Sequence, residues 1–268
     1  MRKSVLFIIL TIVGMSIKAN IRLPNILSNN MVLQQQSTTK VWGWAMPGEK
    51  IKITTSWDNK TIGISANGNA TWQVNIQTPT AGGPYKIILE GENKIILENI
   101  FIGEVWLCGG QSNMEWSYNS GLSSIKDEFS QLSKLNIKLF KMPKTTSKTP
   151  QDNSEGSWVA CDSNTLKAFS AVGYYFGKEV NKNLNVPIGL ISSNWGGTPA
   201  EVWTSEALVE NNPVLKEAAA KKKPTSWWPI ASGYAYNAMI APIVNYNIAG
   251  AIWIKAKVIP ELHQAIPN

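Results

Sequence analysis

The patterning of apolar residues changes near residue 98, and this constrains the fold more than any other feature of the sequence. Ahead of it, the segments 40–44, 49–56, 71–76 and 85–90 alternate or cluster β-formers. Turn residues separate them at Met46-Pro47-Gly48, Asn67-Gly68-Asn69 and Ala81-Gly82-Gly83-Pro84. No helical period occurs in this stretch, so it predicts a small all-β sandwich over 20–97. Beyond residue 98 strands and helices alternate, the mark of an α/β domain, here expected over 98–253. Strands are predicted at 104–108, 136–141, 187–192 and 248–253. A helix is predicted over 165–184, with Leu166, Phe169, Val172, Phe176 and Val180 on its buried face and Asp162 or Ser163 as its cap.

The first 19 residues carry Arg2 and Lys3, then an apolar run from Val5 to about Met15, then small or polar residues ending at Ala19. That is the layout of a secretory leader cleaved near Ala19, too short to span a bilayer comfortably. It predicts a secreted or periplasmic destination with no membrane span after cleavage. The formal charge of +7 invites a nucleic-acid reading. Three of the 25 basic residues belong to the leader, however, leaving 22 against 18 acidic ones. Without a basic helix or aromatic-basic repeat, that balance argues against a nucleic-acid partner. Lys221-Lys222-Lys223 reads as a solvated loop. With 44% hydrophobic and 16% charged residues, the chain can bury a substantial core. Cys108 and Cys161 are its only cysteines, so a disulfide framework is excluded, and a buried free thiol is expected for Cys108. With a single histidine, His263, no spacing of Cys, His and carboxylates suggests a metal.

Gly110-Gln111-Ser112-Asn113-Met114 follows an apolar strand directly and precedes a polar helical stretch. Ser112 is therefore expected on a strand-to-helix turn at the carboxyl edge of the sheet, where open α/β sheets place their sites. A serine there has a helix N-terminus behind it, and its own N–H can face a developing oxyanion. The competing reading is that Ser112 simply caps the helix. The motif is not Gly-x-Ser-x-Gly, so the nucleophile elbow of α/β-hydrolases does not apply.

Four separated stretches carry a family resemblance. Gly103-Glu104-Val105-Trp106-Leu107-Cys108-Gly109-Gly110-Gln111-Ser112-Asn113-Met114-Glu115-Trp116 resembles the nucleophile block of sialate O-acetylesterases and related SGNH-type carbohydrate acetylesterases. Leu23-Pro24 through Met31-Val32-Leu33-Gln34 is similar to their opening strands. Ser193-Asn194-Trp195-Gly196-Gly197-Thr198-Pro199-Ala200-Glu201-Val202-Trp203 is similar to their second block, and Tyr236-Asn237-Ala238-Met239-Ile240-Ala241-Pro242 to a later approach strand. The resemblance implies an SGNH-hydrolase-like (flavodoxin-like) three-layer domain after the sandwich. It implies hydrolysis of O-acetyl esters on carbohydrates, with sialic acid the first guess and acetylated xylan an alternative, and no metal or organic cofactor. Ser112 would be the acyl nucleophile, and the N–H groups of Ser112 and of Gly196 or Gly197 would form the oxyanion hole. Gln111, Asn113 and Glu201 would contact sugar hydroxyls or steady the loop, and both readings stay open. Trp116, Trp195, Trp203, Trp227 and Trp228 offer sugar-stacking faces, although tryptophan is more often core.

After Trp253 members of that family read Tyr-Gln-Gly-Glu-Ser-Asn, whose side-chain amide completes the oxyanion hole, and a later Asp-x-x-His-type block supplies the base. This chain reads Ile254-Lys255-Ala256-Lys257-Val258 instead. Dropping one base from codons for the family's residues yields this run, so a frameshift after Trp253 is expected. The domain would then be incomplete at its C-terminus, and 254–268 would be an out-of-frame tail that includes His263. A chain lacking its base would be impaired, which leaves a non-catalytic carbohydrate-binding protein or an inactive remnant as the other readings.

Overall fold

The computed structural model of the chain describes residues 20–254. The predicted leader, and the expected tail from 255 onward, lie outside the described residues. In chain order the strands are β1 (Val32–Gln34), β2 (Thr38–Trp44), β3 (Lys50–Thr55), β4 (Thr61–Ser65), β5 (Thr71–Gln77), β6 (Gly82–Glu90), β7 (Lys94–Gly110), β8 (Ile137–Lys141), β9 (Trp158–Ala160), β10 (Ile188–Asn194) and β11 (Gly250–Ile254). The α-helices are α1 (Ser112–Glu115), α2 (Ser163–Leu166), α3 (Ala171–Leu184), α4 (Glu206–Glu210) and α5 (Pro213–Ala220).

Strand β7 is the spine of the molecule. Its first half pairs antiparallel with β6 and parallel with β1, and its second half pairs parallel with β10 and β11. The expected boundary at 97/98 therefore falls inside one continuous 17-residue strand. The antiparallel pair β2–β5 lies over the sheet formed by β3, β4 and β6. Val41, Trp72 and Ile76 from one layer share a buried core with Ile51, Ile53, Ile87 and Leu89 from the other, the alternate-residue burial of two packed sheets.

Beyond residue 103 the sheet runs β9-β8-β10-β7-β11, with β9 antiparallel on its edge and the rest parallel. The fold is thus the α/β class expected. From β7 the chain builds β8 and β10 on one side, then crosses to β11 on the other, so the strand order reverses at β7. Open sheets bind ligands at the carboxyl ends of strands beside such a reversal.

The predicted long helix is two helices, because Asp162 caps α2 with a reciprocal Thr165 bond and Ser170 caps α3 by accepting from the Gly173 N–H. The buried face of α3 follows the expected one in part, since Phe176 packs edge-on to Trp106 at 4.8 Å and Val180 packs against the core. Val172 and Tyr175 are exposed, while Ala171, Gly173, Tyr174 and Gly177 are buried. A methyl at Gly173 would lie 2.8 Å from Cys108 Sγ, and one at Gly177 would lie 2.8 Å from Leu190. Small residues beside that apolar row let this helix sit close on the sheet.

Glu128 ties that helix down. It accepts from Tyr174 Oη at 2.8 Å and from Lys178 Nζ at 2.5 Å. Burial pushes its carboxyl up, but the bonds from Lys178 and Tyr174 outweigh that and hold its pKa below the ordinary value. A depressed folded pKa contributes stability that is present at neutral pH and is lost as pH falls through it. We expect Glu128→Gln to cost about 1–3 kcal/mol at pH 7 in urea unfolding. The gap from the parent chain should close below about pH 4.

Candidate active site

Ser112 is the first residue of α1, immediately past the carboxyl end of β7, and it is half-buried. It does not cap the helix: Gln111 holds the N-cap position, and no side chain makes a cap bond there. Among the described residues the Ser112 hydroxyl makes no hydrogen bond, and the backbone N–H groups of Ser112 and Gly197 have no acceptor. The serine is held by backbone. Gln111 accepts from the N–H groups of Met114 and Glu115, and its own N–H donates to the Ile254 carbonyl at 3.1 Å.

This junction explains the Gly109-Gly110 pair. A methyl at Gly109 would lie 2.2 Å from the Trp253 ring, and one at Gly110 would lie 2.0 Å from the Ile254 carbonyl oxygen. Gly110 also has φ +130°, a region closed to most L-residues. Two strands thus close directly under the turn that presents Ser112, with Trp203 standing edge-on to Trp253 at 5.5 Å. Beneath the turn, burial raises the Cys108 thiol to about 12, which leaves it unreactive. Cys161, also a free buried thiol, is raised likewise to about 12.

The turn after β10 supplies the second wall. Trp195 donates its N–H to the Gly110 carbonyl, and a methyl at Gly196 would stand 3.4 Å from Ser112 Cβ. The structure therefore brings Ser112 and Gly196 together across two strands. Gly197 has φ +82°, and the Trp228 ring covers it so closely that a methyl there would come within 2.2 Å.

Glu115 was not among the expected site residues, yet it bridges the two walls. Its Oε2 accepts from the Gly196 N–H at 2.5 Å, and its Oε1 pairs with Lys144. The Gly196 N–H, expected to face an oxyanion, thus binds a carboxylate, leaving the Ser112 and Gly197 N–H groups as the open donors. The sequence signal was the Ser-x-x-Glu spacing of Ser112 and Glu115, which ordinarily marks a capping box. Here the acid reaches another loop instead. Lys141, near this pair, has its pKa lowered by burial and then by Lys144, with Glu115 opposing.

The remaining expected residues divide. Gln111 is buried and Asn113 exposed. Glu201 is buried; its Oε2 has no partner among the described residues, and its Oε1 lies 3.9 Å from Lys222 Nζ. Lys222 of the basic run is thereby drawn to the buried acid, while Lys221 pairs with Glu217. Of the tryptophans, Trp203 is buried and Trp116 and Trp227 are exposed. His263 lies outside the described residues. Among the described residues, no group of His, Cys, Asp and Glu could hold a metal ion, and no helix is long and apolar enough to cross a membrane.

No family model matches the chain. The sialate O-acetylesterases of Pongo abelii and Homo sapiens are 28% and 27% identical to it over 255 residues, spanning 88% of this chain. A carbohydrate acetylesterase from Xanthomonas citri superposes with a TM-score of 0.76 at 30% identity, covering 88% of this chain and 51% of its own. The chain is a homologue of the sialate O-acetylesterases along most of its own length. It spans 48% of the length of the Pongo abelii and Homo sapiens relatives. An α/β fold similar to that of a carbohydrate acetylesterase, with Ser112 at its strand reversal, matches what the four sequence blocks implied about architecture.

Proposed function

We propose that this chain carries the nucleophile of an enzyme that hydrolyses O-acetyl esters on carbohydrates, with sialic acid its first substrate. The observation that carries the reading is the Ser112 turn: an unbonded hydroxyl at the carboxyl end of the central strand, flanked by open Ser112 and Gly197 N–H groups. Attack by Ser112 Oγ on the acetyl carbonyl forms a tetrahedral oxyanion, which those two N–H groups stabilise. The ester C–O bond then breaks and the sugar leaves as an alcohol carrying a proton. Water hydrolyses the acetyl-serine and releases acetate. Gln111 and Glu115 hold the turn, and Asn113 and Glu201 are the proposed sugar contacts. The serine proton needs a base, and no described titratable group bonds Ser112 Oγ. That favours a second reading, carbohydrate binding without turnover, wherever the base is not supplied.

The test is acetate release from O-acetylated sialic acid and from acetylated xylan. It is run on the purified chain and on the chain joined to the second half of a sialate O-acetylesterase. Release by the joined protein supports the esterase reading, and its preference between the substrates decides the sugar. A folded joined protein that releases acetate from neither would sink the proposal. Sugar binding by the chain without acetate release would favour the second reading.

A further inference from the structure

A second cleft, of about 620 Å³, lies between the β2–β5 pair, the 150–152 loop and the 236–245 segment. That is ample for a small ligand, since such sites run from about 300 to 1,000 Å³. None of its lining residues comes from the 109–116 turn or the 194–203 segment that build the Ser112 site. Its walls combine two kinds of group. Trp44 and Tyr236, both half-buried, supply aromatic surface, and Asn67, Gln73, Asp152 and Asn245 supply polar atoms.

The polar groups are oriented. Asn245 Oδ1 accepts from Lys40 Nζ at 2.8 Å, which leaves its amide N–H₂ to donate elsewhere. Asn67 Oδ1 accepts from the N–H groups of Asn69 and Thr71, which likewise commits its oxygen and leaves the N–H₂. The Gln73 and Asp152 side chains are exposed and make no hydrogen bond or ion pair among the described residues, so their side-chain oxygens are open acceptors. Fixed amide donors opposite carboxylate and amide acceptors match vicinal hydroxyls, each of which donates and accepts. Aromatic rings with apolar faces suit the C–H face of a pyranose. The lining contains a carboxylate and no Lys, Arg or His. Two cations stand beside the lining and keep their charge, Lys40 on Asn245 Oδ1 and Arg22 over the Trp44 ring at 5.8 Å.

From this arrangement we propose that the cleft is a binding site for a neutral oligosaccharide, separate from the Ser112 site. It anchors a glycan to the N-terminal sheets. The inference does not rest on the esterase reading, because a chain without ester hydrolysis would still bind here.

The test is titration of the full chain with xylohexaose as the neutral probe, read by tryptophan fluorescence and calorimetry. Saturable xylohexaose binding with a Kd of roughly millimolar strength is expected. The double variant Gln73→Ala, Asp152→Ala alters exposed side chains only and should weaken xylohexaose binding roughly tenfold or more. Trp44→Ala should weaken it further, with thermal unfolding checking that the strand survives. Ser112→Ala should leave it unchanged. Absence of saturable xylohexaose binding, binding undiminished in the double variant, or loss in Ser112→Ala would each overturn the site.

Discussion

Ser112→Ala, in the chain joined to the second half of a sialate O-acetylesterase, should slow acetate release by about 10⁴-fold or more, with KM changed little. Losing a nucleophile that acts as one unit with its base removes nearly all covalent catalysis, and only the oxyanion donors and binding remain. Stability should hardly move. The hydroxyl makes no hydrogen bond among the described residues and caps nothing, so its removal should stay within about 0.5 kcal/mol. The pairing of the two readouts is what discriminates. A Ser112 that merely stabilised a helix end would show the reverse: a loss near 1 kcal/mol in unfolding and little change in rate. Acetate assay and thermal melting on the same preparations decide between them.

The largest effect on stability is expected at Gly110. Alanine there must adopt φ +130° and place its methyl 2.0 Å from the Ile254 carbonyl oxygen, a backbone atom that cannot swing aside. The backbone strain alone costs about 1–3 kcal/mol, and separating β11 from the turn adds to it. We expect a total of about 3 kcal/mol or more in urea unfolding. Because Gln111 N–H bonds the same carbonyl, acetate release by the joined protein should fall with it. Gly63→Ala is the control: it sits on β4 with nothing within 4 Å of the added methyl, so it should be neutral or slightly stabilising. Equal costs at the two positions would mean that the Gly110–Ile254 closure does not carry the turn.

How much of this was legible beforehand differs by element. The strands of the first sheets were readable because alternation and turn residues are local. The predicted 40–44, 49–56 and 71–76 match β2, β3 and β5 to within two residues at each end. β4 was missed: Gly63 breaks its β-former run, and it is an edge strand held by β3 alone. The buried face of α3 is legible only in part: counting apolar residues finds Phe176 and Val180 but ignores Gly173 and Gly177, which also meet the sheet. The Ser112 turn was visible from the apolar strand that precedes it. Glu115 was not, because its partners lie 81 and 29 residues away.

The sequence by itself determined the change from turn-punctuated strands to strand–helix alternation, the exit of a serine turn from a buried strand, and the resemblance that the four blocks carry. Each depends on near neighbours or on residue order, which a linear text carries. Only the tertiary structure decided that β7 runs unbroken through both sheets. It alone showed that Gly109 and Gly110 are glycines because Trp253 and Ile254 lie against them, and that the Gly196 N–H is taken by Glu115. These are contacts between segments far apart in sequence, and steric exclusion between such segments is set by packing, which no local pattern records.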